Sequence, residues 1–197
     1  MVMNKEELDK LRIRLSVESK NGIDFIISAM VIWALIAFIW SLDFDSYYKS
    51  VLVFIVGSPM ILIAFFISKF IKTVWKVKDN PLQPLGLWLN IAQLFYFPFL
   101  IFVLIKSPDY FIMTYSIITG AHLFPYSWFY KTKFYALFAG IISVGSLLIA
   151  LNIETVKLFY IGIFTSICLI LLTVCLVVDY NKKKTIYQLL GLTAFEK

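Results

Sequence analysis

The stretch FIISAMVIWALIAFIWSL, residues 25–42, carries no acid and no base in eighteen consecutive positions. Apolar and polar residues do not alternate in it, so it does not read as a half-buried strand. A helix of that length is about 27 Å long, close to the thickness of a bilayer core, about 30 Å. In hydrocarbon the backbone must satisfy its own N–H and C=O groups, which a helix does. Working outward, five more charge-free runs follow, at 50–68, 80–105, 110–130, 134–153 and 158–178. The expected fold is therefore all-α, a polytopic bundle of six transmembrane helices. Hydrophobic residues make up 61% of the chain and charged residues 15%, against about 25% charged in soluble domains. Nothing between the runs is long enough to fold alone. The expected divisions are 1–22, a cytoplasmic amphipathic segment; 23–180, the membrane domain; and 181–197, a basic amphipathic tail. The first 21 residues are rich in charge. A secretory signal needs an apolar core after a short basic start, so no cleavage is expected.

Charge gives the threading. Taking the segments between runs alternately, one side collects fifteen Lys and Arg residues and the other only Lys49, Lys106 and Lys157. The positive-inside rule places the basic side, and with it both termini, in the cytoplasm. The net charge of +6 then reads as a belt facing anionic lipid, not as a nucleic-acid surface.

Two flanks read as interfacial helices. Leu8, Leu11 and Leu15 share one helical face, with Lys10, Arg12 and Arg14 largely off it. Asn4 followed by Glu7 has the spacing of a reciprocal N-terminal cap, and Gly22 marks a stop. Ile186, Leu189, Leu190 and Phe195 have similar spacing in the tail. A solvated charged terminus is the competing reading at both ends. Pro84 is expected in the first turn of the third span. Pro59, Pro98 and Pro125 lie in the second, third and fourth runs only. That distribution does not suit a 3+3 inverted repeat.

Polar side chains in the bilayer are costly and face protein. Tyr115, Thr119, His122 and Tyr126 recur on one face of the fourth run. His122 is the only histidine. Pro125 removes the hydrogen bond to the carbonyl of Ala121 and leaves a free acceptor beside the imidazole. Asn90 and Gln93 share a face of the third run. His122 and Gln93 each lie about 13 Å from the cytoplasmic end. Only a four-residue connection joins these runs, so they are expected as antiparallel neighbours, with Gln93, Asn90 or Tyr115 as partner to His122. Asp24 reaches this layer or rests at the interface. Trp128 and Tyr130 read as an interfacial aromatic belt. Ala139, Ser143, Ser146 and Ala150 form a small-residue side of the fifth run, for an internal contact or a homo-oligomer seam.

The chain holds no H-E-x-x-H, G-x-S-x-G or phosphate loop, and no paired intramembrane acids. No catalytic, metal or cofactor site is expected. Cys168 and Cys175 are seven residues apart, about 10.5 Å along a helix, beyond disulfide reach of about 7 Å. The segments NPLQPLGLWLNIAQLFYFPF (80–99) and GAHLFPYSWFY (120–130) resemble those of small six-span bacterial membrane proteins in families of unknown function. The resemblance implies a bacterial inner membrane as the location and no activity. Two functions remain open. One is a non-enzymatic membrane protein whose cytoplasm-facing polar pocket, between the third and fourth spans, serves transport or sensing of a small solute. The other is a structural or accessory subunit whose polar residues hold the bundle or a partner. A membrane-embedded enzyme ranks third.

Overall fold

A computed structural model describes residues 4–189. Among them the chain forms nine α-helices joined by short turns, without strands. They are α1 (Lys5–Glu18), α2 (Ile23–Ser41), α3 (Ser46–Gly57), α4 (Met60–Ile71), α5 (Gln83–Leu94), α6 (Phe97–Lys106), α7 (Phe111–Phe129), α8 (Phe134–Asn152) and α9 (Phe159–Leu189). Among the described residues, five stretches are long and apolar enough to cross a membrane: Lys20–Ser41, Ser46–Ile71, Gln83–Lys106, Phe134–Asn152 and Thr155–Leu189. The fold is an all-helical bundle compatible with a multi-pass membrane protein.

Runs 50–68 and 80–105 are not single helices. The first breaks at Pro59 and the second just before Pro98. Pro59 cannot donate to the carbonyl of Ile55, four residues back; the hydroxyl of Ser58 donates to that carbonyl instead, at 2.8 Å. Pro98 likewise frees the carbonyl of Leu94, and the chain crosses the gap with tight turns from Phe95 N to Ala92 O and Tyr96 N to Gln93 O. Pro125 lies inside α7 without ending it. Pro84 stands in the first turn of α5, as its position predicts.

Packing separates a centre from a flank. The most apolar window of Lys20–Ser41 is 61% buried, whereas those of the two broken stretches are each 17% buried. The centre is α2, α7, α8 and α9. It is tight because small residues meet. A methyl placed on Gly162 of α9 would lie 2.7 Å from the Cα of Ala37 in α2. One on Gly120 of α7 would lie 2.6 Å from the Oγ of Ser143 in α8. Ser116, Ser146 and Thr165 hydrogen-bond at 2.7 Å in the buried middle. The small-residue side of α8 is thus used within the chain, through Ser143 and Ser146 against α7.

At one end of the bundle, several segments meet. Helix α1 begins with the expected reciprocal cap between Asn4 and Glu7. It ends at Ser19 rather than Gly22, and Lys20, Asn21 and Gly22 all follow with positive φ. Glycine adopts this region freely. Lys20 and Asn21 are held there by their surroundings. Leu15 is buried, Leu8 and Leu11 half-buried. Helix α1 docks on the bundle: the Arg12 guanidinium donates to Trp128 O at 2.7 Å and covers the Trp128 ring. Arg14 donates to Lys78 O, Asn80 donates to Leu11 O, and Asp9 pairs with Lys131 at 2.8 Å. The last helix continues without a break through Lys182, Lys183 and Lys184. Leu190 and Phe195 of the expected tail helix lie outside the described residues.

Candidate functional site

Helix α7 carries the polar face read from its spacing. His122 is half-buried, and its Nε2 lies 3.4 Å from the hydroxyl of Tyr126, one turn along the same helix. That is its one hydrogen bond among the described residues. The partner is Tyr126 instead of the expected Gln93, Asn90 or Tyr115. The reason is local: other polar groups satisfy themselves on their own helices. Thr119 donates to Tyr115 O at 2.9 Å, and Asn90 donates to Gly86 O at 2.9 Å. Tyr115 packs its ring against Trp33 and Phe111.

Helix spacing relates Gln93 to His122 through one contact between α5 and α7. Gly86 of α5 faces Phe129 of α7, where an added methyl would come 2.9 Å from the ring. Gln93 lies seven residues beyond Gly86, and His122 seven before Phe129. Seven residues are nearly two full turns, so each stays on the face its helix presents at that contact. In antiparallel helices both then sit about 10.5 Å from it. Gln93 is half-buried, and its side chain has no hydrogen-bond partner among the described residues. The Gln93 amide and the His122 imidazole do not bond to each other.

Below His122, toward the end where α1 docks, the tyrosines form a column. Tyr126 stacks on Tyr130 at 5.9 Å, and Tyr130 on Tyr135 at 5.9 Å. Tyr130 is buried, with its hydroxyl against Gly22. This corrects the belt reading for Tyr130: the left-handed turn at Gly22 leaves room for the ring inside. Trp128 stays exposed under Arg12.

The column ends on a buried network that sequence reading missed. Tyr135 donates to Asn21 O at 2.6 Å. The Asn21 amide donates to Leu176 O at 3.1 Å and Asp179 at 3.0 Å, and its carbonyl accepts from Ser16. Lys183 donates to Asp179 at 2.6 Å, to Tyr130 O at 2.6 Å and to Ser16 at 3.1 Å. All three ammonium hydrogens have acceptors, as a buried charge requires. Asn21-Gly22 is a recognisable turn signal and Asp179 with Lys183 a recognisable helix pair. Nothing in either signals that they meet. Asp24 belongs to neither layer. It is buried and accepts from Thr73 at 2.9 Å and Trp75 at 2.6 Å.

Outside the spans, the ion pair with Lys131 holds the Asp9 carboxyl below its usual range. Glu18, hydrogen-bonded to Arg14, raises that guanidinium further. Among the described residues no three His, Cys, Asp or Glu side chains gather as a metal site needs.

The fold is a bundle of apolar helices compatible with a multi-pass membrane protein. Residues 8–179 match the model of a family of unknown function, DUF7010, and the chain belongs to that family. No curated protein and no solved structure matches it.

Proposed function

We propose that this is a six-span protein of the bacterial inner membrane with both termini in the cytoplasm. It holds a small polar solute in a cleft between α5 and α7, for transport or sensing, and catalyses no reaction. Helix α7 supplies the sixth crossing. Its 19 residues span about 28 Å. Its polarity suits a helix whose Ser116, Thr119 and Gly120 are turned inward. The orientation rests on the Lys and Arg bias, since the end that gathers α1, residues 72–82 and residues 130–133 is the basic one.

The reading is supported by two half-buried polar groups: His122 makes a single hydrogen bond, at 3.4 Å, and Gln93 makes none among the described residues, and their spacing from the Gly86–Phe129 contact suits a common height. Polar groups at membrane depth are costly unless partnered. A solute with a donor and an acceptor partners both. Neither α5 nor α7 carries a charged side chain, so an uncharged polar solute suits the layer best. A second reading has its own support. Ser116, Ser146 and Thr165 form a closed hydroxyl cluster that only holds helices together, as a structural or accessory subunit requires.

Water access separates the two. With Cys168 and Cys175 replaced by alanine, Gln93→Cys is treated with a membrane-impermeant thiol reagent on inside-out vesicles. A wet cleft reacts, and His122→Trp, which fills it, slows the reaction. If position 93 stays silent while Lys76→Cys reacts, the layer is dry and the structural reading replaces the solute site.

A further inference from the structure

Lys20 is a half-buried cation with no acid beside it. It sits in the left-handed turn before α2, at φ +48°, a region that L side chains enter only at a cost. The turn aims its ammonium between two other elements. The ammonium donates to the carbonyl of Ile71 at the end of α4, and it lies 5.7 Å from the centre of the Tyr180 ring on α9. Lys72 follows Ile71 directly, and Lys184 is one turn beyond Tyr180 on the same face. These two are the like charges that bear on Lys20. Both are exposed. None of the three forms an ion pair among the described residues.

The acids nearby are already engaged. Glu18 accepts from Arg14 and Tyr187, Asp24 from Thr73 and Trp75, and Asp179 from Lys183 and Asn21. Lys72 and Lys184 each act on Lys20 as like charges, and an anion entering beside it relieves that repulsion. A phosphate offers oxygens for several of them at once. On α4, the helix that ends beneath this cluster, Phe66 and Phe70 are bare, 63% and 86% exposed. An anion with an apolar tail matches both parts.

We propose that Lys20, Lys72 and Lys184 form a binding site for the phosphate of an anionic phospholipid, seated where α2, α4 and α9 meet at the membrane surface. The proposal stands apart from the solute cleft: it uses none of the cleft's residues. The lipid phosphate ties the start of α2 to the ends of α4 and α9.

The full-length protein in nanodiscs of phosphatidylcholine, with or without phosphatidylglycerol, tests this through retained lipid and thermal stability. A detergent sample titrated with inorganic phosphate forms a second arm. Lys72→Gln with Lys184→Gln removes two exposed lysines that make no side-chain bond among the described residues, so folding is preserved. Lys76→Gln with Lys133→Gln, two lysines of the same end that do not act on Lys20, is the charge-matched control. Phosphatidylglycerol is expected to stabilise the natural protein. The first double variant should weaken its binding roughly thirtyfold, each lysine near an anionic surface contributing about fivefold, and the control much less. Stabilisation by inorganic phosphate, lost in the same variant, would support the site with a soluble anion as its source. No stabilisation by either anion, or an equal loss in the control pair, overturns the proposal.

Discussion

Gly162 and Gly140 show how much one methyl group weighs here. At Gly162 a methyl would meet the Cα, Cβ and N of Ala37 between 2.7 and 2.9 Å. Backbone cannot swing aside, so α9 must move off α2. Gly162→Ala is expected to cost about 1–3 kcal/mol as overpacking. At Gly140 no atom lies within 4 Å, and alanine should be neutral or gain up to about 1 kcal/mol from helix propensity. Unfolding in detergent, followed by circular dichroism, compares the two. Equal losses would contradict the tight α2–α9 contact. His122 makes one hydrogen bond, at 3.4 Å. His122→Ala should therefore cost no more than about 1 kcal/mol. A loss of several kcal/mol would mean that the imidazole holds the bundle. At this scale the sequence was partly legible. The Tyr115, Thr119, His122, Tyr126 face follows from spacing alone. The partner of His122 did not, because hydroxyls and amides inside a membrane can also bond back to their own helix.

The helices themselves were legible where an apolar run had no internal proline, as in α2 and α8. They were less so at Pro59 and Pro98, because the same residue leaves α7 whole at Pro125. Spacing identified the cap of α1, but not its docking on the loops, which depends on Arg12 and Asn80 finding backbone carbonyls far along the chain. Lys183 adds a further tie, through Ser16 of α1. Lys183→Met removes three hydrogen bonds and leaves Asp179 without its cation. The expected cost is about 3–5 kcal/mol, the usual price of breaking a buried pair, with faster proteolysis within residues 5–18. Unchanged proteolysis would show that α1 docks without the network. The Asp9–Lys131 pair adds a pH signature. The Asp9 carboxyl is held below its unfolded value, so its contribution is present above that value, about 3.9. It is lost as pH falls through the lower folded value. Docking of α1, read from Trp128 fluorescence, should be flat between about pH 5 and 8 and weaken only below about 4. Asp9→Asn should remove that acid limb.

For the whole molecule, helical class and a membrane-like composition follow from six charge-free runs, five of which give helical stretches apolar enough to cross a bilayer. The exception, α7, is the one lined with Thr119, His122 and Tyr126. A helix at the centre of a bundle needs less apolar surface than one facing lipid, so composition undervalues it. The meeting of Asn21 with Asp179 was out of reach, since 158 residues separate them. The central claim is that the basic end faces the cytoplasm and that α7 makes the sixth crossing. Thiol labelling of intact cells tests it most directly, using single cysteines in place of Asp43, Val156 and Lys76. The account predicts that an impermeant reagent modifies positions 43 and 156 at once, and position 76 only after the membrane is opened. Labelling of 76 in intact cells, or of 43 and 156 from opposite sides, would contradict it.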